Sequence, residues 1–270
     1  MSNTVQIIES LQQEIHRALG PLVPASGKFA LLDFPNHSNV GDSAIWLGEI
    51  EYFKNWHKMR PAFVSNFARH STQQLKKALP EGTIFIHGGG NFGDLWTHHQ
   101  DFREKILQEF PDRKVVQLPQ SLHFETAERL KQAQSIINAH PDFTLLVRDH
   151  KSHAFAREHF NCTVILCPDM AFALGPQKTP VKAEDKPLFL LRMDKERSHD
   201  SVGNIRDVKG DYRLEDWLDE EENLNPKILK QTLAVLPFQL GFRMLNRNAA
   251  RAAFYNRLAQ HRVTRGLRQL

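Results

Sequence analysis

The sequence predicts an α/β protein built around a mainly parallel sheet. Six short apolar runs have the length and character of buried strands, at 29–32, 83–87, 115–118, 144–147, 164–167 and 188–191. Helical periodicity fills several of the intervals between them, at 102–110, 124–139 and 152–160. Strands that alternate with helices need crossover connections, so the strands run parallel and helices cover both faces of the sheet.

The N-terminal third begins with a helix and continues into the first strand. Apolar residues recur at helical spacing, which predicts an amphipathic helix and not a signal peptide (Ile8, Leu11, Ile15 and Leu19). A polar elbow at 36–43 follows the first strand and leads into a second helical pattern. Gly41 permits close backbone approach, Asp42 or Ser43 is a candidate cap, and the helix N-terminus offers N–H groups to an anion or hydroxyl. An ordinary capped turn is the alternative.

The C-terminal third differs in composition. Residues 176–186 are rich in Pro and Lys and predict a linker between domains at 1–178 and 187–270. Residues 184–222 hold thirteen acidic and seven basic side chains, whereas 226–270 hold nine Lys or Arg and no acidic residue. The basic tail is interpreted as a helix that covers its own domain or, alternatively, as a peripheral contact with anionic lipid.

The overall composition limits the function classes. The chain has 270 residues and 41% hydrophobic content, typical of a globular protein, and its net charge of +4 would suit an anionic substrate or surface. Zinc-finger spacing and basic RNA-binding motifs are absent, so no nucleic-acid partner is expected. Cys162 and Cys167 flank a strand and point to opposite faces, which favours free thiols in a reducing, cytoplasmic compartment. The longest uncharged C-terminal stretch, 231–242, is too short to span a membrane.

Polar or glycine-rich residues follow nearly every predicted strand. The carboxyl ends of parallel strands meet at one edge of the sheet, where ligands bind. This rule places the substrate-binding and catalytic candidates in one cleft. They follow five of the six predicted strands, in chain order: Asn39, Gly41 and Asp42; His87, Gly88, Gly89, Gly90, Asn91 and Asp94; Gln120 and Ser121; Arg148 and Ser152; and Arg192.

The chemistry of these candidates suits an anion. Successive glycines after a strand can present backbone N–H groups as an anion-binding nest, or they can merely let a helix approach the sheet. Arg148 and Arg192 can each hold a carboxylate or phosphate bidentately, and a surface ion pair is the alternative for Arg148. The histidines show no metal-binding spacing, so neither a metal nor a cofactor is expected.

Taken in order, these motifs resemble the polysaccharide pyruvyl transferase family. The matching segments are NVGDSAI at 39–45, HGGGNFGDLW at 87–96, PQS at 119–121, RDHKS at 148–152, PDMAFAL at 168–174 and LLRMDKE at 190–196. The resemblance implies two Rossmann-like domains arranged as in GT-B glycosyltransferases, with the acceptor on the first domain and the donor on the second. It implies transfer of a pyruvyl group from phosphoenolpyruvate, a co-substrate, onto two sugar hydroxyls as a cyclic ketal. The acceptors would be cell-surface polysaccharides or their lipid-linked precursors, at the cytoplasmic face of the membrane.

One departure from the family pattern affects the second domain. Family members carry an Arg-Leu-His motif late in that domain, and residues 258–270 do not contain it. We therefore expect an incomplete second domain, in a truncated chain or a short variant. Asp42, His87 and Asp94 are the candidate acids and bases, with their roles undivided. Two rival hypotheses are a glycosyltransferase that uses a nucleotide sugar and an inactive sugar-binding protein.

Overall fold

The computed structural model describes residues 3–25, 27–179, 182, 185–190, 211–218, 220, 224–235 and 247–269. The helices in these ranges are α1 (Asn3–Leu19), α2 (Val40–His57), α3 (Thr72–Ala78), α4 (Thr97–Glu109), α5 (Ala127–Ala139), α6 (His150–His159), α7 (Leu224–Val235) and α8 (Arg247–Gln269). The strands are β1 (Phe29–Leu32), β2 (Phe63–Ser65), β3 (Thr83–Ile86), β4 (Gly89–Gly93), β5 (Val115–His123), β6 (Phe143–Val147), β7 (Thr163–Leu166), β8 (Leu188–Leu190) and β9 (Arg213–Glu215).

The main sheet is parallel and doubly wound, which confirms the predicted α/β class. Its order is β2-β1-β3-β5-β6-β7, and β4 continues the path of β3 by pairing with the second half of β5. The chain leaves β1 towards β2 at one edge and then crosses to β3 on the other side of β1. The β1–β3 boundary is therefore the topological switch point, where α/β sheets bind ligands.

Apolar residues on both faces of the sheet form two core layers. Phe29 and Leu31 of β1 face a cluster that includes residues of α1, α2 and α8, whereas Ala30 and Leu32 face a second cluster with α4 and α5. All four are fully buried. Strands that are buried on both faces lack polar alternation, which explains why they appear in the sequence as continuous apolar runs.

Several predicted boundaries were wrong. The third strand was expected to end at Leu118, but β5 continues to His123 and contains Pro119 and Gln120. A register shift between Gln117 and Gln120 in the pairing with β6 accommodates the proline, which cannot donate to a regular ladder. The segment after β3 was predicted as a glycine loop, but Gly89–Gly93 forms β4. Strands β2 and β9 and helix α3 were not predicted.

The basic helix α8 packs against α2. A Cβ on Gly266 would lie 2.4 Å from Val40 Cγ1, so the glycine permits the close approach of the two helices. Tyr255 stacks on Phe34 with ring centroids 4.0 Å apart, and the buried Arg262 donates to the carbonyl of Pro35. The basic tail was expected to cover its own domain or to contact anionic lipid, but these contacts of α8 are with residues of the predicted N-terminal domain. The domain boundary and the membrane contact stay predictions.

Among the helices that the structure describes, none combines the length and the apolar character needed to cross a bilayer.

Candidate functional site

A cavity of about 370 Å³ opens at the carboxyl edge of the sheet, beside the switch point. Its lining combines residues from the loop after β1, the segment after β2, β4, the start of α4 and the end of β6: Asn36, His37, Asn39, Asp42, Asn66, Phe67, Ala68, Gly90, Asn91, Trp96, His98, His99, Arg148 and Leu218. Five of the predicted site residues are among them. The carboxyl ends of the strands thus converge as the sequence pattern predicted.

The first turn of α2 supplies a carboxylate to this cavity. Asn39 is the N-cap, since its side chain accepts the Gly41 N–H at 2.8 Å, so the expectation that Asp42 or Ser43 caps the helix was wrong. Asp42 is therefore not needed as a cap. A Cβ on Gly89 would lie 3.2 Å from Asp42 Oδ1, and His37 Nε2 lies 3.7 Å from Asp42 Oδ2.

The three consecutive glycines permit close packing against neighbouring atoms. A Cβ on Gly88 would lie 2.7 Å from the carbonyl oxygen of Pro119, and Gly89 has a φ of 123°, which other residues rarely adopt. A Cβ on Gly90 would lie 3.2 Å from Arg148 Nη2. The Gly88 N–H already donates to Glu49, so it is not available to a ligand. The glycines let side chains approach β4.

Arg148 is held at the end of β6 by two side chains. Its Nε donates to Ser121 Oγ at 2.9 Å, and its Nη1 donates to Asp169 Oδ2 at 2.6 Å. Ser121 in turn donates to Asp149 Oδ2 at 2.7 Å. These contacts fix the guanidinium plane and leave Nη2 beside Gly90, at the cavity. Among the described residues, Arg148 is the predicted cation that lines the cavity, and Ser121 positions it.

Ser152 has a structural role in the described fold. It is buried, its N–H and hydroxyl donate to Asp149, and its Oγ accepts the N–H of Leu122. Partial burial alone would raise the pKa of the Asp149 carboxyl, but hydrogen bonds from Ser152 and Ser121 lower it below its usual value. Ser152 therefore joins α6 to β5 and does not line the cavity.

His87 belongs to a buried ion pair beneath the cavity. Its Nδ1 lies 2.9 Å from Glu49 Oε2, and both side chains are almost completely buried. Burial alone would lower the pKa of His87, but the adjacent Glu49 carboxylate raises it above its usual value. His87 Nε2 is buried and has no hydrogen-bond partner in the described structure.

Asp94 caps a neighbouring segment. Its carboxylate accepts the N–H groups of Glu125 and Thr126, both at 2.8 Å, and the Thr126 hydroxyl at 2.9 Å. Partial burial alone would raise the pKa of Asp94, but these hydrogen bonds lower it below its usual value. Asp94 is not among the residues that line the cavity.

Asn91 and Gln120 are linked to each other and to a buried arginine. Gln120 donates to Asn91 Oδ1 and to the His87 carbonyl, both at 3.0 Å, and it accepts the Asn91 N–H. Arg103 donates to Asn91 Oδ1 at 2.9 Å and to Gln117 at 2.6 Å. Burial lowers the pKa of Arg103 to about 10, with Asp33 and Glu104 opposing the shift. This network holds β4 against β5, and its Asn91 member also lines the cavity.

The structure adds a carboxylate–imidazole pair that was not predicted from the sequence. His99 lines the cavity, and its Nδ1 donates to Asp33 Oδ2 at 2.7 Å. Asp33 is fully buried and has a φ of 68°, in the left-handed region that non-glycine residues avoid. Its Oδ1 has no hydrogen-bond partner in the described structure. Backbone strain of this kind concentrates at functional sites.

Histidines at this edge do not form a metal centre. His37 and His99 lie with ring centroids 6.5 Å apart, and His98 and His99 with centroids 5.2 Å apart. In the part of the chain that the structure describes, no group of three or more His, Cys, Asp or Glu residues is placed to hold a metal ion. The remaining predicted site residue, Arg192, lies outside the described residues.

A family comparison decides the classification. The family model described as polysaccharide pyruvyl transferase matches residues 39–256, most of the chain. This chain belongs to the polysaccharide pyruvyl transferase family. The match confirms the resemblance found in the motifs, and it includes every residue of the cavity except Asn36 and His37.

Several curated proteins are similar to this chain, and two of the three described below are named as pyruvyl transferases. "Pyruvyl transferase 1" of Schizosaccharomyces pombe is 34% identical over 209 residues, which cover 71% of this chain and 52% of that protein. EpsO of Bacillus subtilis, named as a candidate pyruvyl transferase, is 34% identical over 188 residues, which cover 69% of this chain and 57% of EpsO. "General stress protein 30" of Bacillus subtilis is 31% identical over 180 residues, which cover 64% of this chain and 52% of that protein. The chain thus spans about half the length of these relatives.

In this member of the pyruvyl transferase family, the sequence pattern predicted the position of the cavity. It did not predict all of the side chains that form the candidate site. Asp33 directly follows β1, yet nothing in the sequence links it to His99, which is 66 residues away. Trp96 is the last residue of the segment HGGGNFGDLW, but no role was predicted for it. Phe67 follows β2, a strand that was not predicted. A rule that also inspects the residue directly after each strand would have found Asp33, which follows the end of β1 at Leu32.

Proposed function

We propose that this chain takes part in transferring a pyruvyl group from phosphoenolpyruvate to a sugar, forming a pyruvate ketal. The sugar belongs to a cell-surface polysaccharide or to its lipid-linked precursor. The observation that carries the proposal is the position of Arg148, whose Nη2 lies beside Gly90 in the same cavity as Asp42 and His99. A cation therefore shares one small cavity with a carboxylate and an imidazole. Family membership supports pyruvyl transfer as its chemistry.

The donor would bind at Arg148. Phosphoenolpyruvate carries a phosphate and a carboxylate, and a guanidinium N–H can donate a charge-assisted hydrogen bond to an oxygen of either group. Ser121 and Asp169 occupy Nε and Nη1, which leaves Nη2 as the donor that can reach an anion near Gly90. A charge-assisted hydrogen bond of this kind contributes about 1.5 to 3 kcal/mol to binding.

The reaction consumes one enol double bond and two sugar hydroxyls. The methylene carbon of phosphoenolpyruvate accepts a proton, and one sugar oxygen forms a bond to the central carbon. The second sugar oxygen then displaces phosphate from that carbon, so the C–O bond to phosphate breaks and a cyclic ketal remains. One hydroxyl proton ends on the new methyl group and the other leaves with phosphate. The site must therefore accept the two hydroxyl protons and return both, one to the methylene carbon and one to phosphate.

His99 and Asp42 are the groups that can move these protons. Asp33 accepts the Nδ1–H of His99 and so fixes the tautomer, which leaves Nε2 as the nitrogen that takes up or releases a proton. Asp42 contributes a partly exposed carboxylate, 25% of whose side chain is accessible. Positioned acids and bases each accelerate proton transfer by about 10² to 10⁴. His87, by contrast, is engaged with Glu49 beneath the site.

Donor preference tests this function. The purified chain is incubated with a lipid-linked or polymeric acceptor and either labelled phosphoenolpyruvate or labelled nucleotide sugars. Transfer of label from phosphoenolpyruvate, and its loss in the Arg148→Ala variant, is the expected result. Arg157→Ala is the matched control, because Arg157 is exposed on the helix that follows β6. Transfer from a nucleotide sugar instead would replace the proposal with the glycosyltransferase hypothesis.

A further inference from the structure

One side of the cavity is an aromatic wall, formed by Phe67, Trp96 and His98. Phe67 follows β2, and the other two residues lie at the start of α4. The ring centroids of Phe67 and His98 are 5.0 Å apart with planes inclined by 36°, and all three residues line the cavity. Trp96 and Phe67 are only partly buried.

We infer that this aromatic wall is the subsite for the pyranose ring of the acceptor sugar. The inference rests on the proposed function and names where its acceptor lies. One face of a pyranose ring carries C–H bonds alone, and the negative face of an aromatic ring attracts such polarised hydrogens while burying apolar area. The hydroxyls at the sugar's rim need polar partners, and the neighbouring cavity residues Asn36, His37 and Asn39 provide amide and imidazole groups.

The aromatic wall shares its cavity with the proposed donor site. Gly90 and Arg148 line the same cavity as Phe67 and Trp96, and His99 contacts the wall with its ring centroid 5.0 Å from that of Phe67. A sugar stacked on the wall therefore has the His99 imidazole beside it. This is the arrangement that a base for the sugar hydroxyls requires.

The size of the cavity limits the acceptor to one sugar at a time. Ligand cavities in proteins commonly measure about 300 to 1,000 Å³, and this one, at about 370 Å³, lies near the lower end. That space suits one pyranose and a three-carbon donor. The subsite thus selects a single exposed sugar unit and leaves the rest of the glycan outside.

Saturation-transfer NMR tests the subsite directly. The probes are the methyl pyranosides of galactose, glucose and mannose, with saturation applied to the aromatic protons of the protein. At least one glycoside is expected to receive saturation mainly on the hydrogens of one ring face. The Trp96→Ala and Phe67→Ala variants should each lower the affinity for that glycoside by about 10-fold, the loss typical of one aromatic contact.

Controls separate this inference from the proposed function. Trp56 is 43% exposed on α2 outside the cavity, so Trp56→Phe should leave glycoside binding unchanged. Phosphoenolpyruvate affinity, measured on the same samples by calorimetry, should stay within about twofold in Trp96→Ala, because the anion binds at Arg148. Absence of saturation transfer to all three glycosides, or unchanged affinity in both folded wall variants, overturns the inference. Glycoside binding without phosphoenolpyruvate binding contradicts the proposed function alone and supports the sugar subsite.

Discussion

The Nδ1 atom of His99 lies 2.7 Å from a carboxylate oxygen of the fully buried Asp33. Asp33 keeps this position although its φ of 68° is unfavourable for a residue with a side chain. An imidazole oriented by a carboxylate at the wall of a cavity is a recurrent arrangement for proton transfer. Asp33 acts through His99, so it is a positioning residue.

The first prediction concerns this pair. Asp33→Asn should lower kcat for pyruvyl transfer by about 10², because the amide holds the tautomer of His99 poorly and no longer stabilises the protonated ring. Asparagine tolerates the left-handed backbone, so the variant should fold. The KM for phosphoenolpyruvate should not change, since Asp33 does not touch the donor position. The rates are measured by phosphate release.

Asp101→Asn is the matched control for that measurement. Asp101 is 60% exposed and pairs with Arg129 on the surface, so its removal should leave kcat unchanged. An Asp33→Asn variant that keeps wild-type kcat would show that the pair is only structural.

The second prediction compares two glycines of β4. In Gly90→Ala the new Cβ meets the flexible end of Arg148 at 3.2 Å, so the arginine shifts and phosphoenolpyruvate affinity falls several-fold while the fold persists. In Gly93→Ala the Cβ would lie 1.7 Å from the His123 carbonyl oxygen, at a φ of 126°. That variant should lose about 3 kcal/mol of unfolding free energy. Urea denaturation and calorimetry distinguish the two effects, and equal stability losses would contradict the placement of β4.

The third prediction concerns the pH dependence of stability. Glu49 raises the pKa of His87 in the folded state, so the folded protein binds a proton that the unfolded chain releases near pH 6.5. The stabilisation is complete below that pH and is lost as the pH rises through the higher folded-state pKa of His87. The free energy of unfolding should therefore decline as the pH is raised above about 6.5.

Glu49→Gln provides the comparison for this pH dependence. It removes the buried partner and should cost about 3 to 5 kcal/mol, because the His87 charge is left uncompensated. It should also flatten the decline above neutral pH. A variant with the wild-type pH profile would contradict the assignment of that decline to His87.

The sequence predicted those features that depend on local pattern. The strands β1, β3 and β6 are continuous buried apolar runs, so their positions were predicted to within one or two residues. The strand-end rule also placed Asp42, Gly90 and Arg148 in one cleft. These correct predictions depend only on the spacing of hydrophobic residues along the chain and on the geometry of parallel sheets.

Features that depend on distant partners could not be predicted in the same way. Strand β4 consists largely of glycine, which has low strand propensity, and it forms because Arg103, Gln117 and Gln120 hold it from other elements. Arg103 looks like a surface charge in the helical pattern of α4, yet it is fully buried. The contacts of His87 with Glu49 and of Ser152 with Leu122 could not be predicted for the same reason, since these partners lie on other elements.

The most direct test of the account is a calorimetric titration of phosphoenolpyruvate into the wild-type chain, Arg148→Ala and Arg157→Ala. Arg148 is held beside Gly90 by Ser121 and Asp169, whereas Arg157 is exposed on α6. We expect the wild type and Arg157→Ala to bind alike and Arg148→Ala to bind at least about 10-fold more weakly, the loss of one charge-assisted hydrogen bond. Equal affinity in all three proteins would contradict the assignment of Arg148 as the donor-binding residue.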